Sequence, residues 1–265
     1  MAPINQFILL GSGTSQGVPV IGCDCKVCSS NDPKDNRTRT SAYIQVNGVH
    51  LVIDTGPDFR TQMLREGLSK VDAVLFTHEH QDHMAGLDDV RPMIFRSGNA
   101  MSIFGQSRVI NRIKKAFHYA FEKQPYPGAP RIDSFEIDEN EPFTVGGIEI
   151  IPIPLDHGNL PILGYRIGDL AFLTDVNHIP PASMAKLIGI KTLFLDALHH
   201  KNHFSHFTLE QAVSKATEIG AEKTYFIHMS HYMGTHQATM DSLHPGMELA
   251  YDGLKVDLSY SASDK

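Results

Sequence analysis

The apolar run Ala73-Val74-Leu75-Phe76 opens, through Thr77, onto His78-Glu79-His80-Gln81-Asp82-His83, and no other junction in the chain constrains its fold so strongly. Four consecutive apolar residues bounded by polar ones read as a buried strand. The loop at its end carries three imidazoles and two carboxylates. Neutral imidazole nitrogen and carboxylate oxygen are the ligands that zinc and other first-row divalent metals take. A solvated polar loop accounts for one stray histidine. A set this dense points to metal.

The same arrangement recurs downstream. His157 follows an apolar stretch over 148–153, Asp175 ends Leu170-Ala-Phe-Leu-Thr-Asp175, Asp196 ends Thr192-Leu-Phe-Leu-Asp196, and His228 ends Thr224-Tyr-Phe-Ile-His228. Taken singly, each is explained by a turn or a helix cap. In open α/β sheets, however, ligands collect outside the carboxyl ends of strands, so four such residues can meet at one site.

The remaining pattern alternates strands with helices. Strands are expected at 41–46 and 50–54, joined by the hairpin signal Asn47-Gly48. Others are expected at 101–104, 134–137, 148–153, 163–167, 170–173, 192–195, 223–227 and 254–258. Helices are expected at 58–66, with Asp58 as N-cap and Gly67 as stop, and at 107–117, 181–188 and 208–219. The segment 124–130 is a loop rich in Pro and Gly. Neither a repeat nor a low-complexity linker interrupts the chain, which reads as α/β and as one domain over 1–265.

All three cysteines fall in Cys23-Asp24-Cys25-Lys26-Val27-Cys28. An odd number packed so tightly is no disulfide framework. The spacing suits a thiolate-bound structural zinc that lacks a fourth ligand, for which His is the natural donor. A redox pair with a spare thiol is the competing reading.

Composition supplies exclusions. With 42% hydrophobic and 20% charged residues the chain looks like an ordinary soluble globule. No apolar stretch approaches the roughly 20 residues of a membrane span. The start, Met1 to Leu10, lacks the basic region and the longer apolar run of a signal peptide. A formal charge of -7 without a basic run disfavours polyanion binding. A cytoplasmic protein with no membrane and no nucleic-acid partner is expected.

On these residues the chain resembles the metallo-β-lactamase-fold hydrolases, whose signature is a His-x-His-x-Asp-His loop, here His78, His80, Asp82 and His83. Asp54-Thr55-Gly56 and then His157, Asp175 and His228 match the family's other motifs in order. Gly11-Ser-Gly-Thr-Ser-Gln-Gly-Val-Pro19, followed by Cys23, Cys25 and Cys28, is similar to a narrower group. These are the phosphoribosyl cyclic phosphate diesterases, similar in turn to tRNA 3′-processing endonucleases.

The resemblance implies an αββα sandwich with an added Cys3His structural zinc site. The fourth zinc ligand in that group lies three residues after the last catalytic-metal histidine, here His231. It also implies two divalent ions, zinc or manganese: His78, His80 and His157 hold one, Asp82, His83 and His228 the other, and Asp175 bridges. Asp54 would orient the ligand loop from behind. The family's helix-entry histidine aligns with His206 in the segment 199–208, and His206 is taken with Asp82 as catalytic. An imidazole near neutral pKa suits proton donation. His203 is the reserve acid, and His199 and His200 are taken as surface or packing residues. Arg91 would meet a phosphate oxygen, or else form a surface salt bridge; His236 and His244 carry no distinguishing context.

The expected activity is hydrolysis of small phosphodiesters, such as cyclic sugar or nucleotide phosphates, by a water activated between two metals. A lactone or thioester hydrolase of the same fold and a pyrroloquinoline-quinone-biosynthesis-like protein are the alternatives, and a non-catalytic metal-binding scaffold is a third. The acidic balance argues against tRNA trimming. Relatives suggest a homodimer.

Overall fold

The computed structural model describes residues 5–123 and 126–260. The first four residues of the segment Met1 to Leu10, and Gln124 and Pro125 of the loop 124–130, lie outside the described residues. Among the described residues the strands are β1 (Gln6–Gly11), β2 (Ser41–Val46), β3 (Val49–Ile53), β4 (Ala73–Leu75), β5 (Met101–Gly105), β6 (Ile132–Glu136), β7 (Phe143–Val145), β8 (Ile148–His157), β9 (Leu160–Ile167), β10 (Leu170–Leu173), β11 (Thr192–Asp196), β12 (Lys223–Ile227), β13 (Met247–Leu249) and β14 (Lys255–Asp257). The helices are α1 (Phe59–Arg65), α2 (Gln81–Met84), α3 (Arg91–Ser97), α4 (Ser107–Ala116), α5 (Pro181–Lys186), α6 (Leu209–Ile219) and α7 (His236–Met240).

The strands form two seven-stranded sheets, ordered β14-β1-β2-β3-β4-β5-β6 and β13-β12-β11-β10-β9-β8-β7. Successive side chains of a strand face opposite ways, and here both faces are buried. Phe7 and Leu9 of β1 meet Phe172 and Phe194 of the other sheet. Their neighbours Ile8 and Leu10 pack with Phe59 and Met63 of α1 and Val109 of α4. On the second sheet Ala171 and Leu173 pack with Leu209 and Ala212 of α6. The layers are therefore helix, sheet, sheet, helix. Burial on both sides explains why these strands read as unbroken apolar runs instead of alternating ones. The Phe7 and Phe194 rings stack at 4.2 Å across the inner layer; truncating such a buried Phe to Ala costs about 3–5 kcal/mol.

Strand direction positions the site. β3, β4, β5 and β6 are mutually parallel, as are β10, β11, β12 and β13. Their carboxyl ends therefore deliver Asp54, the His78 loop, Asp175, Asp196 and His228 to the same edge. Among the described residues no helix is long and apolar enough to cross a membrane.

Several elements differ from expectation. β8 and β9 pair without interruption from Ile151↔Arg166 to His157↔Leu160, well beyond the expected ends at 153 and 163. Pro152 and Pro154 lie inside this pairing without breaking it. Proline removes a donor only, and here Lys186 Nζ and Ser183 Oγ donate to the Pro152 and Pro154 carbonyls, at 2.9 and 2.5 Å. Asp58 does not cap α1 with its side chain. Its carboxylate instead accepts from the Arg39 N–H at 2.9 Å and pairs with the Arg39 guanidinium at 3.2 Å. β6 begins at Ile132 instead of residue 134, and β1, β7, β13, α2, α3 and α7, each three to seven residues long, had no counterpart among the expected elements.

Candidate metal centre

Three strand exits turn through the left-handed region at residues other than glycine: Asp54 (φ 61°), Asp175 (φ 56°) and His228 (φ 61°). That conformation costs roughly 1–2 kcal/mol for an L-residue. Strain concentrated on such residues marks a functional site more than a packing one. Further along the first sheet, the short helix α2 begins directly after His80, which sets Asp82 and His83 on one turn. Gly56 admits this turn, since a Cβ there would run into the Asp82 carbonyl.

Two pockets of donor atoms result. In the first, His78 Nε2 and His80 Nδ1 stand 3.0 Å apart, and the His157 ring lies 5.6 Å from that of His78 and 5.2 Å from that of His80. One nitrogen from each falls within 4.8 Å of the others. The second gathers Asp82, His83, Asp175 and His228 within the same limit. Asp175 stands between the two. Its Oδ1 is 3.3 Å from His83 Nε2, and its Oδ2 is 3.2 Å from His228 Nε2 and 4.0 Å from His78 Nε2.

The residues fit divalent cations on an independent ground. His83 Nε2 and both ring nitrogens of His228 are buried with no hydrogen-bond partner, although carboxylate oxygens approach them to 3.2–3.3 Å. Close approach without donor–acceptor alignment is what lone pairs aimed at a common point produce. Leaving one such group unsatisfied costs about 1–3 kcal/mol. Electrostatics follow the crowding. Burial pushes the Asp175 carboxyl up, but His228 and His83 outweigh it and hold it well below the usual carboxylate range. Asp82 is held low in the same way, chiefly by His83. Burial, reinforced by His83, drives His78 far below an ordinary imidazole. His83 itself is raised, against burial, by Asp175, Asp82 and Asp54.

The supporting contacts are built to aim the ligands. Asp54 accepts from the Thr77 N–H at 2.9 Å, the Thr77 hydroxyl at 2.7 Å and His83 Nδ1–H at 2.7 Å. The Thr77 hydroxyl in turn accepts from His78 Nδ1–H at 3.0 Å, so one carboxylate reaches a candidate ligand in each pocket. His157 Nδ1–H donates to the Ser205 carbonyl at 2.9 Å. Asp196, at a strand end like Asp175, acts one layer back. Both its oxygens lie 3.2 Å from His206 Nδ1, and it accepts from the Phe207 N–H at 3.1 Å. Sequence reasoning ranked it with the ligands and passed over Thr77.

His206 sits beside the pockets, its ring 4.7 Å from those of both His157 and His228. The capping box of α6, where Thr208 Oγ1 accepts from the Gln211 N–H and Gln211 Oε1 from the Thr208 N–H, fixes the chain just after it. Burial lowers its pKa, but Asp196 and then Asp175 prevail and raise it to about 9. The His203 ring is 5.1 Å from His206, and its Nδ1 accepts from Ser205. Arg91 pairs with Asp88 at 2.8 Å, and its guanidinium carbon stands 5.7 and 6.0 Å from the Tyr119 and Tyr126 ring centres. Those contacts tie it to the 126–130 loop and to none of the ligand candidates.

A second cluster lies elsewhere. His231 Nδ1 is 3.3, 3.5 and 3.4 Å from the sulfurs of Cys23, Cys25 and Cys28. A tetrahedron with Zn–S near 2.3 Å and Zn–N near 2.0 Å has S···N edges of about 3.5 Å, so the set fits a tetrahedral cation. The Cys28 N–H pulls the Cys25 thiol down to about 6, while burial pushes Cys28 up to about 11.

Comparison with known proteins agrees with this geometry. A profile described as "Beta-lactamase superfamily domain" matches residues 50–229. The crystal structure of a diphosphatase of the PhnP family superimposes with a TM-score of 0.90 at 44% identity, covering 96% of this chain and 97% of that one. Zinc-bound PqqB from Methylobacterium extorquens shares the fold, with a TM-score of 0.78 at 20% identity over 96% of this chain and all of its own. An octanoyltransferase of Porphyromonas gingivalis is 43% identical over 95% of this chain, which covers only 51% of that protein. The chain spans about half, or less, of the curated relatives it matches. Two facing sheets, candidate ligands at the strand ends in the expected order and a near full-length relative at 44% identity lead to one conclusion: the chain belongs to the β-lactamase superfamily, and within it to the PhnP family.

Proposed function

We propose that this chain is a metal-dependent hydrolase of small phosphodiesters, of the cyclic sugar or nucleotide phosphate kind. The observation that carries the reading is the pair of donor pockets sharing Asp175, with the His206 ring 4.7 Å from those of His157 and His228. His78, His80 and His157 would hold one divalent cation, Asp82, His83 and His228 the other, with Asp175 between. When bound, such a pair polarises a phosphoryl oxygen and lowers the pKa of a coordinated water. The remaining work belongs to the chain. Asp54 and Thr77 fix which nitrogen of His83 and His78 faces the pocket. Asp196 binds Nδ1 of His206, leaving Nε2 to hand a proton to the departing oxygen, a role worth about 10²–10⁴ in rate. His231 and the three cysteines would hold a structural zinc.

Cleavage of a diphosphate linkage is the second reading, favoured by the 44% identical diphosphatase. Octanoyl transfer draws less support: the name belongs to a protein half of which has no counterpart here, and every cysteine of this chain lies in the Cys3His cluster. The test is turnover of cyclic and linear phosphodiesters, a diphosphate and a lactone, with zinc or manganese supplied. Phosphodiester turnover abolished by chelation is expected. Preferential lactone hydrolysis, or no turnover by fully metallated protein, would overturn the reading.

A further inference from the structure

Phe204 is an exposed aromatic that the mechanism does not use. Its side chain is 80% accessible, yet its main chain is held. Asn177 donates from Nδ2 to the Phe204 carbonyl at 3.1 Å and accepts the Gly158 N–H on Oδ1 at 2.7 Å. One side chain thus clamps the loop bearing Phe204 to the turn of the β8–β9 hairpin. The ring rests on that turn: a Cβ at Gly158 would come within 3.1 Å of Phe204 Cε2, and the glycine's φ of +63° disfavours any side chain. Phe204 forms one wall of a cavity of about 360 Å³ that also touches Leu160, Asn159 and the candidate ligands His80 and His157.

A solvent-facing ring on an anchored main chain, with one edge against Gly158 and an apolar Leu lining the same cavity, gains the area it now exposes when a flat partner covers it. We propose that Phe204 and Leu160 form a subsite for a planar ring carried by the phosphate substrate, a nucleobase or a simple aryl group. The phosphate would reach the donor pockets past His80, the ligand candidate that is exposed. This deepens the phosphate-ester reading and rests on it. It makes Phe204 a residue that selects ring-bearing esters over bare sugar phosphates.

The test is calorimetric binding to the zinc-loaded chain of three product-like ligands sharing one phosphate group: adenosine 5′-monophosphate, phenyl phosphate and ribose 5-phosphate. Stacking of ordinary strength predicts that adenosine 5′-monophosphate binds about 5-fold to 150-fold more tightly than ribose 5-phosphate. Phe204→Ala abolishes that ratio and Phe204→Trp keeps it. Phenyl phosphate matching the nucleotide identifies a general aryl subsite; phenyl phosphate falling behind identifies a nucleobase one. Equal affinity for nucleotide and sugar phosphate in the unaltered chain, or a ratio that survives Phe204→Ala, overturns the proposal. Discrimination without turnover of any phosphate ester would sink the catalytic reading and leave the subsite standing. Turnover without discrimination does the reverse.

Discussion

Replacing Asp54 with Asn changes one atom and conserves shape, so its effect isolates the orienting role of the carboxylate. Asp54 accepts three hydrogen bonds, from the Thr77 N–H, the Thr77 hydroxyl and His83 Nδ1–H. An amide has one acceptor oxygen. If that oxygen faces the Thr77 N–H, the NH₂ group confronts His83 Nδ1–H; if it is flipped, the NH₂ group confronts the Thr77 N–H. Either way a fully buried donor loses its acceptor, at about 1–3 kcal/mol. Rotation of His83 to escape the clash would turn Nε2 out of the second pocket. Loss of such a partner typically weakens metal binding about 10-fold to 100-fold, an energy of the same size. The two pockets should suffer unequally. The bond to His83 is direct, whereas His78 feels Asp54 only through Thr77. Competition with a chromophoric chelator, titrated to two equivalents beyond the cysteine-bound zinc, should therefore show one affinity falling by at least 10-fold and the other by less. Unchanged affinities in both steps would refute the argument, as would an equal loss in both.

Other expectations can be checked separately. His206→Ala should cut turnover by about 10²–10⁴ at unchanged metal content measured by elemental analysis; full activity would remove it from the mechanism. Cys25→Ser should release one zinc and lower the melting temperature by roughly 5–10 °C before it alters chemistry, and an unaltered melt would deny the cluster a structural role. His236 accepts from the buried Arg37 guanidinium at 3.2 Å, and burial, with Arg37 and Lys34 adding to it, lowers its pKa to about 4. A depressed imidazole binds fewer protons folded than unfolded, so its contribution is lost as pH falls from about 6.5 to 4, by on the order of 2–3 kcal/mol. His236→Gln keeps an acceptor for Arg37 and should flatten that slope in urea unfolding; parallel slopes would contradict the assignment.

What was legible in the sequence was whatever is written locally. An apolar run ending in His or Asp states both a buried strand and a ligand at its exit, so β4, β10, β11 and β12 and their terminal residues could be placed together. The division of labour among those residues could not. Asp175 and Asp196 end near-identical runs, Ala171-Phe-Leu-Thr-Asp175 and Thr192-Leu-Phe-Leu-Asp196, yet one stands between the pockets and the other behind His206. The difference lies in which imidazole nitrogen each meets, and that depends on residues far apart in the chain. Backbone strain was equally hidden. Asp and His both enter the left-handed region more readily than most residues, yet no letter in the sequence marks Asp54, Asp175 and His228 as doing so, at φ 61°, 56° and 61°. Among the residues that would hold the cations, Asp175 and His228 turn through this region, and the Nε2 atoms of His83 and His228 are buried with no hydrogen-bond partner. Cations that satisfy those nitrogens would return the energy the strained strand ends consume, so metal affinity and folding stability are linked through residues whose letters disclose only the ligand.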